Sequence, residues 1–184
     1  MHPALLLKEE NSKHLLEAVR ANNPNDVKKW LMAGGGLMPD APRAALNDAV
    51  LYGHQECFKE VFPHTSVDGM GALYLPIALN ARFDDVVDFL LNGSSWDPRD
   101  FATYPAALNN LAEGLRHSSM VSQETMARYL TGLDFPNSVY ADLLPVLEEV
   151  EQLPHWAADP VRHAQYSAAV AQLKNPLPPR PKGP

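Results

Sequence analysis

One cysteine, Cys57, in 184 residues leaves no partner for an intrachain disulfide, so the fold does not lean on an oxidising compartment. It falls where a small apolar residue is wanted and reads as a plain core thiol. Paired-cysteine zinc or redox spacings are missing for the same reason. Basic charge is scarce. Fifteen Lys and Arg against 22 Asp and Glu give a net charge of −7. No basic stripe is available to neutralise a row of phosphates, so nucleic acid is not the expected partner. Long apolar runs are also missing. None approaches the roughly 18 residues of a membrane span. The segment Met1–Glu10 has no basic region ahead of its short apolar run, so no signal peptide is expected. The expected location is cytoplasmic, and export by a machine that reads no N-terminal signal stays compatible with the sequence.

Signatures of catalysis are absent in turn. There is no phosphate loop, no nucleophile elbow and no His-Glu-x-x-His. His155, Asp159 and His163 are spaced by four and four, which on one continuous helix would place them on one face. Pro160 interrupts that helix, and Asp159 is better used as its cap. The acidic pair Asp84-Asp85 suits a helix N-terminus, and Glu148, Glu149 and Glu151 suit a solvated face. No catalytic residue, metal or cofactor is expected.

What the chain does have is 46% hydrophobic and 20% charged residues, a globular balance, and echoes of one pattern. Asn22-Asn23-Pro24, Gly53-His54 and Arg82 each follow a short helical run and precede a second amphipathic one. These turn centres lie at 22, 53 and 82, close to the roughly 33 residues of a helix–turn–helix–loop unit. The first helix is expected from Asn11 to Arg20, capped by Asn11 or Ser12. Trp30 is assigned to the buried stripe of the second helix. Gly34-Gly35-Gly36 allows the positive φ of a helix exit. In the third pair, Leu73, Leu75, Ile77, Ala78 and Leu79 are read as inward-facing, and Pro76 as part of a first helical turn. Helices over Ala106–Arg116 and Gln123–Leu130 read as a fourth pair. Val139–Leu153 and a segment opened by Asp159-Pro160 read as end helices. The tail, Asn175 to Pro184, has five prolines and favours polyproline II. It loosely resembles a ligand of aromatic-lined grooves; the plain alternative is a frayed end.

The stretch Leu15–Gly35 resembles an N-terminal capping ankyrin repeat without a gap. Gly53-His54-Gln55-Glu56-Cys57-Phe58-Lys59 is similar to that family's Gly-His-x-Glu-Val-Val-Lys turn, and Asp85–Gly93 resembles the second helix and exit of a third repeat. The Thr-Pro-Leu-His that opens first helices in the family is absent throughout. The resemblance covers residues 12–95 well and 105–134 weakly. It implies an all-α, ankyrin-like helical repeat solenoid: one domain over 1–174, with repeats about 12–40, 41–70, 71–100 and 101–134, atypical C-terminal capping helices over 138–174 and a flexible proline-rich tail over 175–184. It further implies a non-enzymatic module that binds another protein through a concave face and loop tips, as adaptor, inhibitor or immunity-type antagonist. Carried over by position, the contact residues are Arg20, Tyr52 and Asn80 on the face and Asp40, Arg43, Asp68, Trp96 and Asp97 at the tips. No membrane partner is expected, and the free chain is expected to be a monomer. Two competing readings stand beside this one. The first is an enzyme or secreted effector with active residues within 96–174; the second is a structural homo-oligomer.

Overall fold

The computed structural model describes residues 3–36, 38, 40–65, 70–92, 105–132 and 141–175. Every regular element among them is helical and no strand occurs. The helices are α1 (Pro3–Arg20), α2 (Pro24–Met32), α3 (Ala41–Tyr52), α4 (Gln55–Val61), α5 (Met70–Asn80), α6 (Asp84–Asn92), α7 (Pro105–His117), α8 (Met120–Thr131), α9 (Leu144–Glu151) and α10 (Pro160–Lys174). Short 3-10 turns follow α4 at Phe62–His64 and precede α10 at Pro154–Ala158. The chain divides into two compact units, Met1–Met70 and Gly71–Pro184.

The turns have a common chemistry. Asn22 (φ 52°), Gly53 (φ 75°) and Arg82 (φ 58°) all adopt the left-handed conformation. At each, the next residue's N–H reaches back five positions: Asn23 to the Ala18 carbonyl, His54 to Ala49 and Phe83 to Ala78, at 3.0, 2.8 and 2.9 Å. The turn residue itself bonds three back. This double closure satisfies carbonyls that a helix end otherwise leaves free. Gly34 (φ 93°) closes α2 in the same way, with Gly35 N–H on the Trp30 carbonyl at 2.7 Å.

In the first unit α1 packs on α2 and α3, α2 on α4, and α3 on α4. The core between them holds Leu15, Val19, Val27, Leu46, Phe58 and Val61. Asn11 and Ser12 do not start α1, which begins two turns earlier at Pro3. Both are buried in mid-helix. Asn11 Nδ2 donates to the Ala33 carbonyl at 2.7 Å and Ser12 Oγ to the Gly35 carbonyl at 2.9 Å. They cap the end of α2 from a neighbouring helix rather than the start of their own. Trp30 is only half-buried. Its ring stacks on His14 at 4.5 Å, with Lys29 Nζ 4.8 Å from its centroid.

In the second unit α6 packs on α8, α7 on α9, and α8 and α9 both on α10. Trp156 and Tyr166 are buried and lie 4.8 Å apart. Their polar tips donate to the Val150 and Leu147 carbonyls at 2.9 and 2.8 Å, as buried N–H and O–H groups require. Burial pushes the Tyr166 phenol pKa far up. Pro76 lies inside α5, not in its first turn, because α5 starts at Met70. A Cβ added at Gly114 would meet the Pro76 carbonyl oxygen at 2.7 Å; glycine is what lets α7 approach α5 so closely. Leu73 and Ile77 are exposed rather than inward, at 44% and 37%. The run from Leu73 to Leu79 is apolar all round, so its pattern has no phase from which an inner face can be read.

Candidate partner-binding surface

Of the eight residues carried over by resemblance, five fall on described structure. Asp68, Trp96 and Asp97 lie outside the described residues, as do the expected tip region over Trp96–Tyr104 and the proline-rich stretch beyond Asn175.

Arg20 ends α1 and is about half exposed. Its Nε donates to Asp48 Oδ2 of α3 at 2.7 Å. Asp48, Leu51 and Tyr52 follow one another at i, i+3 and i+4, so they share a face of α3. Leu51 is 74% exposed and Tyr52 52%. The Tyr52 ring stacks on His54 at 5.8 Å. Arg20, Asp48, Leu51 and Tyr52 therefore form one patch in the first unit, with an ion pair beside an exposed apolar and aromatic pair. Exposed ion pairs of this kind contribute at most ~1 kcal/mol to stability.

The base of that patch is held by His54. Its Nδ1 lies 2.6 Å from the Val19 carbonyl oxygen. A carbonyl only accepts, so Nδ1 carries the proton. Three residues on, Cys57 Sγ faces Asn22 Oδ1 at 3.8 Å. Burial, helped by Glu60 and Glu56, pushes the Cys57 thiol up, away from the thiolate that reactive cysteines need.

Asp40 and Arg43 are exposed at the other end of α3. Asp40 occupies the N-cap position but makes no side-chain cap bond. At 1.5 Å per residue along α3, Asp40 and Arg43 lie about 18 and about 13.5 Å from Tyr52, so they form a second cluster. Asn80 is exposed at the last position of α5, in the second unit. Sequence reasoning passed over Asp48, whose role depends on Arg20 across 28 residues. It assigned Leu73 and Ile77 to the inner face, whereas both are exposed, for want of a phase in α5.

The second unit holds the polar groups on which chemistry could rest. Ser119 and Ser122 both donate to Asp84 Oδ1. His155 Nε2 donates to Gln123 Oε1 at 2.8 Å. The hydroxyls and the imidazole thus have different partners. Asp159 caps α10 by accepting from the Arg162 N–H at 3.0 Å. His163 stacks on Trp156 at 5.5 Å. Among the described residues no group of three or more His, Cys, Asp or Glu is placed to hold a metal ion. No described helix is long and apolar enough to cross a membrane. Compared with protein-family models, curated proteins and solved structures, the chain matches none.

Proposed function

We propose that this chain is a non-enzymatic protein-binding module, with the helix pairs of each unit stacked as an ankyrin-like solenoid. The left-handed turns at 22, 53 and 82 support that architecture, as do the side-chain links between successive pairs. The observation that carries the binding role is the patch of Arg20, Leu51 and Tyr52. Folding leaves a tyrosine and a leucine side by side in water, on a rigid helix end beside an arginine. Tyrosine and arginine are the residue types that dominate interface hot spots. A surface already ordered in the free chain binds with little loss of side-chain freedom. The partner is another protein, held by rigid display.

The test is capture of partners from the native host with three baits: the wild type, Tyr52→Ala and Met32→Ala. Met32, 89% exposed on α2, controls for loss of an exposed apolar side chain outside the patch. Tyr52→Ala is expected to lose at least about tenfold in affinity for the captured protein, the scale of a hot-spot residue, while Met32→Ala keeps it. Equal recovery by Tyr52→Ala and wild type, confirmed by titration, would refute the assignment of the patch.

A further inference from the structure

The patch on the first unit carries an open pair of donors. Arg20 Nε donates to Asp48 Oδ2 at 2.7 Å. A guanidinium holds five N–H donors in a planar fork, and the Asp48 bond occupies only its Nε side. The Nη1 and Nη2 groups of Arg20 bond to no other described residue. The Arg20 side chain is 54% exposed and that of Asp48 18%, so the acid is the shielded member of the pair and the guanidinium the open one. Asp48 lies three residues before Leu51 and four before Tyr52, spacings at which side chains are neighbours on a helix. Both are exposed. Fork, leucine and aromatic ring therefore share one surface.

The charges nearby leave that fork open. Glu17, one turn earlier on α1, is held by His14 at 3.0 Å and by Lys13 at 4.0 Å. Lys28 pairs with Glu60, Lys59 with Glu56, and Lys29 lies over the Trp30 ring. Arg43 sits near the other end of α3. Arg20 is thus the cation of the patch, and Asp48 offsets its net charge. A doubly charged group such as a phosphate gains little from a nearly neutral site. A long acidic run is repelled by a chain of net charge −7. A single carboxylate avoids both penalties. It matches the Nη pair in the two-bond geometry that makes arginine–carboxylate contacts strong and directional, and Leu51 and Tyr52 offer apolar contact beside it.

We propose that the patch recognises a single Asp or Glu carboxylate of the bound protein, set beside a large apolar side chain. The carboxylate takes both Nη groups of Arg20, whose Nε is fixed by Asp48, and the apolar side chain lies against Leu51 and Tyr52. This rests on the reading of the patch as a binding surface and names the chemistry that it binds. The apolar contacts keep water from the new ion pair, which strengthens it. The fork matters as much as the charge, because a lysine ammonium is a point charge that cannot offer two parallel bonds.

The experiment selects binders to the full chain from a random-peptide library displayed on phage. The recovered peptides are expected to share one Asp or Glu within a few residues of a Leu, Ile, Phe or Trp. A synthetic copy of one should bind Arg20→Gln and Arg20→Lys about tenfold more weakly than wild type. Replacing the peptide's own acid by its amide, which leaves the protein untouched, should cost a similar factor. Combined with Arg20→Gln, the two losses should not add, since both remove one contact. Tyr52→Ala should also weaken binding about tenfold. Peptides with no recurrent acid, full binding by Arg20→Lys, or additive losses would each overturn the proposal. If the peptides still need Tyr52, the patch stands and only its partner chemistry falls. If they bind Tyr52→Ala as well as wild type, or if the library yields no binder, both fall.

Discussion

Between the Asn22 and Gly53 turns, the two helix pairs of the first unit are joined by His54 donating to the Val19 carbonyl, with the ion pairs Arg20–Asp48 and Lys28–Glu60 on the surface. Within the first pair, the exit of α2 is held by Asn11 and Ser12, both donating to backbone carbonyls. In the second unit, Arg82 and Gln123 also donate to backbone carbonyls, of His117 and of Leu115 and Ser118, and side chains bound to side chains are added: Ser119 and Ser122 on Asp84, His155 on Gln123, Arg162 on Glu124. Similar helix pairs are thus joined in two ways. Where the acceptor is a backbone carbonyl, only the donor can be lost by mutation, and close approach of the backbones becomes the sensitive feature. Where both partners are side chains and partly buried, removing one leaves the other without a partner, which costs more than the net worth of the bond.

That contrast can be broken by mutation, and the largest effect is expected in the second unit. Gln123→Leu removes a buried amide and leaves the Leu115 and Ser118 carbonyls and the His155 N–H without it. A loss of about 3 kcal/mol is expected, seen as lower urea midpoints and lower amide protection in α7–α10. Equal loss of protection in α1–α4 would mean that the units do not respond separately. Next comes Gly35→Ala in the first unit. Its Cβ would lie 2.8 Å from the Asn11 carbonyl oxygen and 2.9 Å from that of Trp30, both backbone atoms that cannot step aside. A loss of about 2 kcal/mol is expected, confined to α1–α4; a neutral result would show that the α2 exit is looser than its contacts imply. The smallest effect is expected of Arg82→Gly. Relief of the left-handed strain, about 1 kcal/mol, offsets the lost bond to His117, also about 1 kcal/mol. Glycine's extra freedom when unfolded leaves a net loss under about 1 kcal/mol. A loss of more than twice that, measured by denaturation, would make Arg82, whose acceptor is a backbone carbonyl, the main tie of its junction and break the contrast.

The turns were the most legible part of the sequence. Asparagine and glycine advertise positive φ by their chemistry. Arginine does not, and Arg82 is found only because its spacing and flanks repeat those of Gly53. The start of α1 was illegible for a tertiary reason. Asn11 and Ser12 look like a cap, but their bonds go to residues 22 and 23 positions away, and local pattern cannot show that. The inner face of α5 was illegible because no charged or amide side chain marks an outer face between Leu73 and Leu79. At the candidate surface, exposure of Arg20, Tyr52 and Asn80 could be read by position. The Arg20–Asp48 pair and the network around Gln123 could not, since both depend on which helices become neighbours.

The links between one helix pair and the next join residues 28 to 38 positions apart, from Arg20–Asp48 to Asp84–Ser122 and Glu124–Arg162. Short separations of this kind make for low contact order and quick closure. During synthesis each junction can form once those 28 to 38 residues have emerged, without waiting for the C-terminus. Within each unit, assembly can then proceed while the ribosome is still at work.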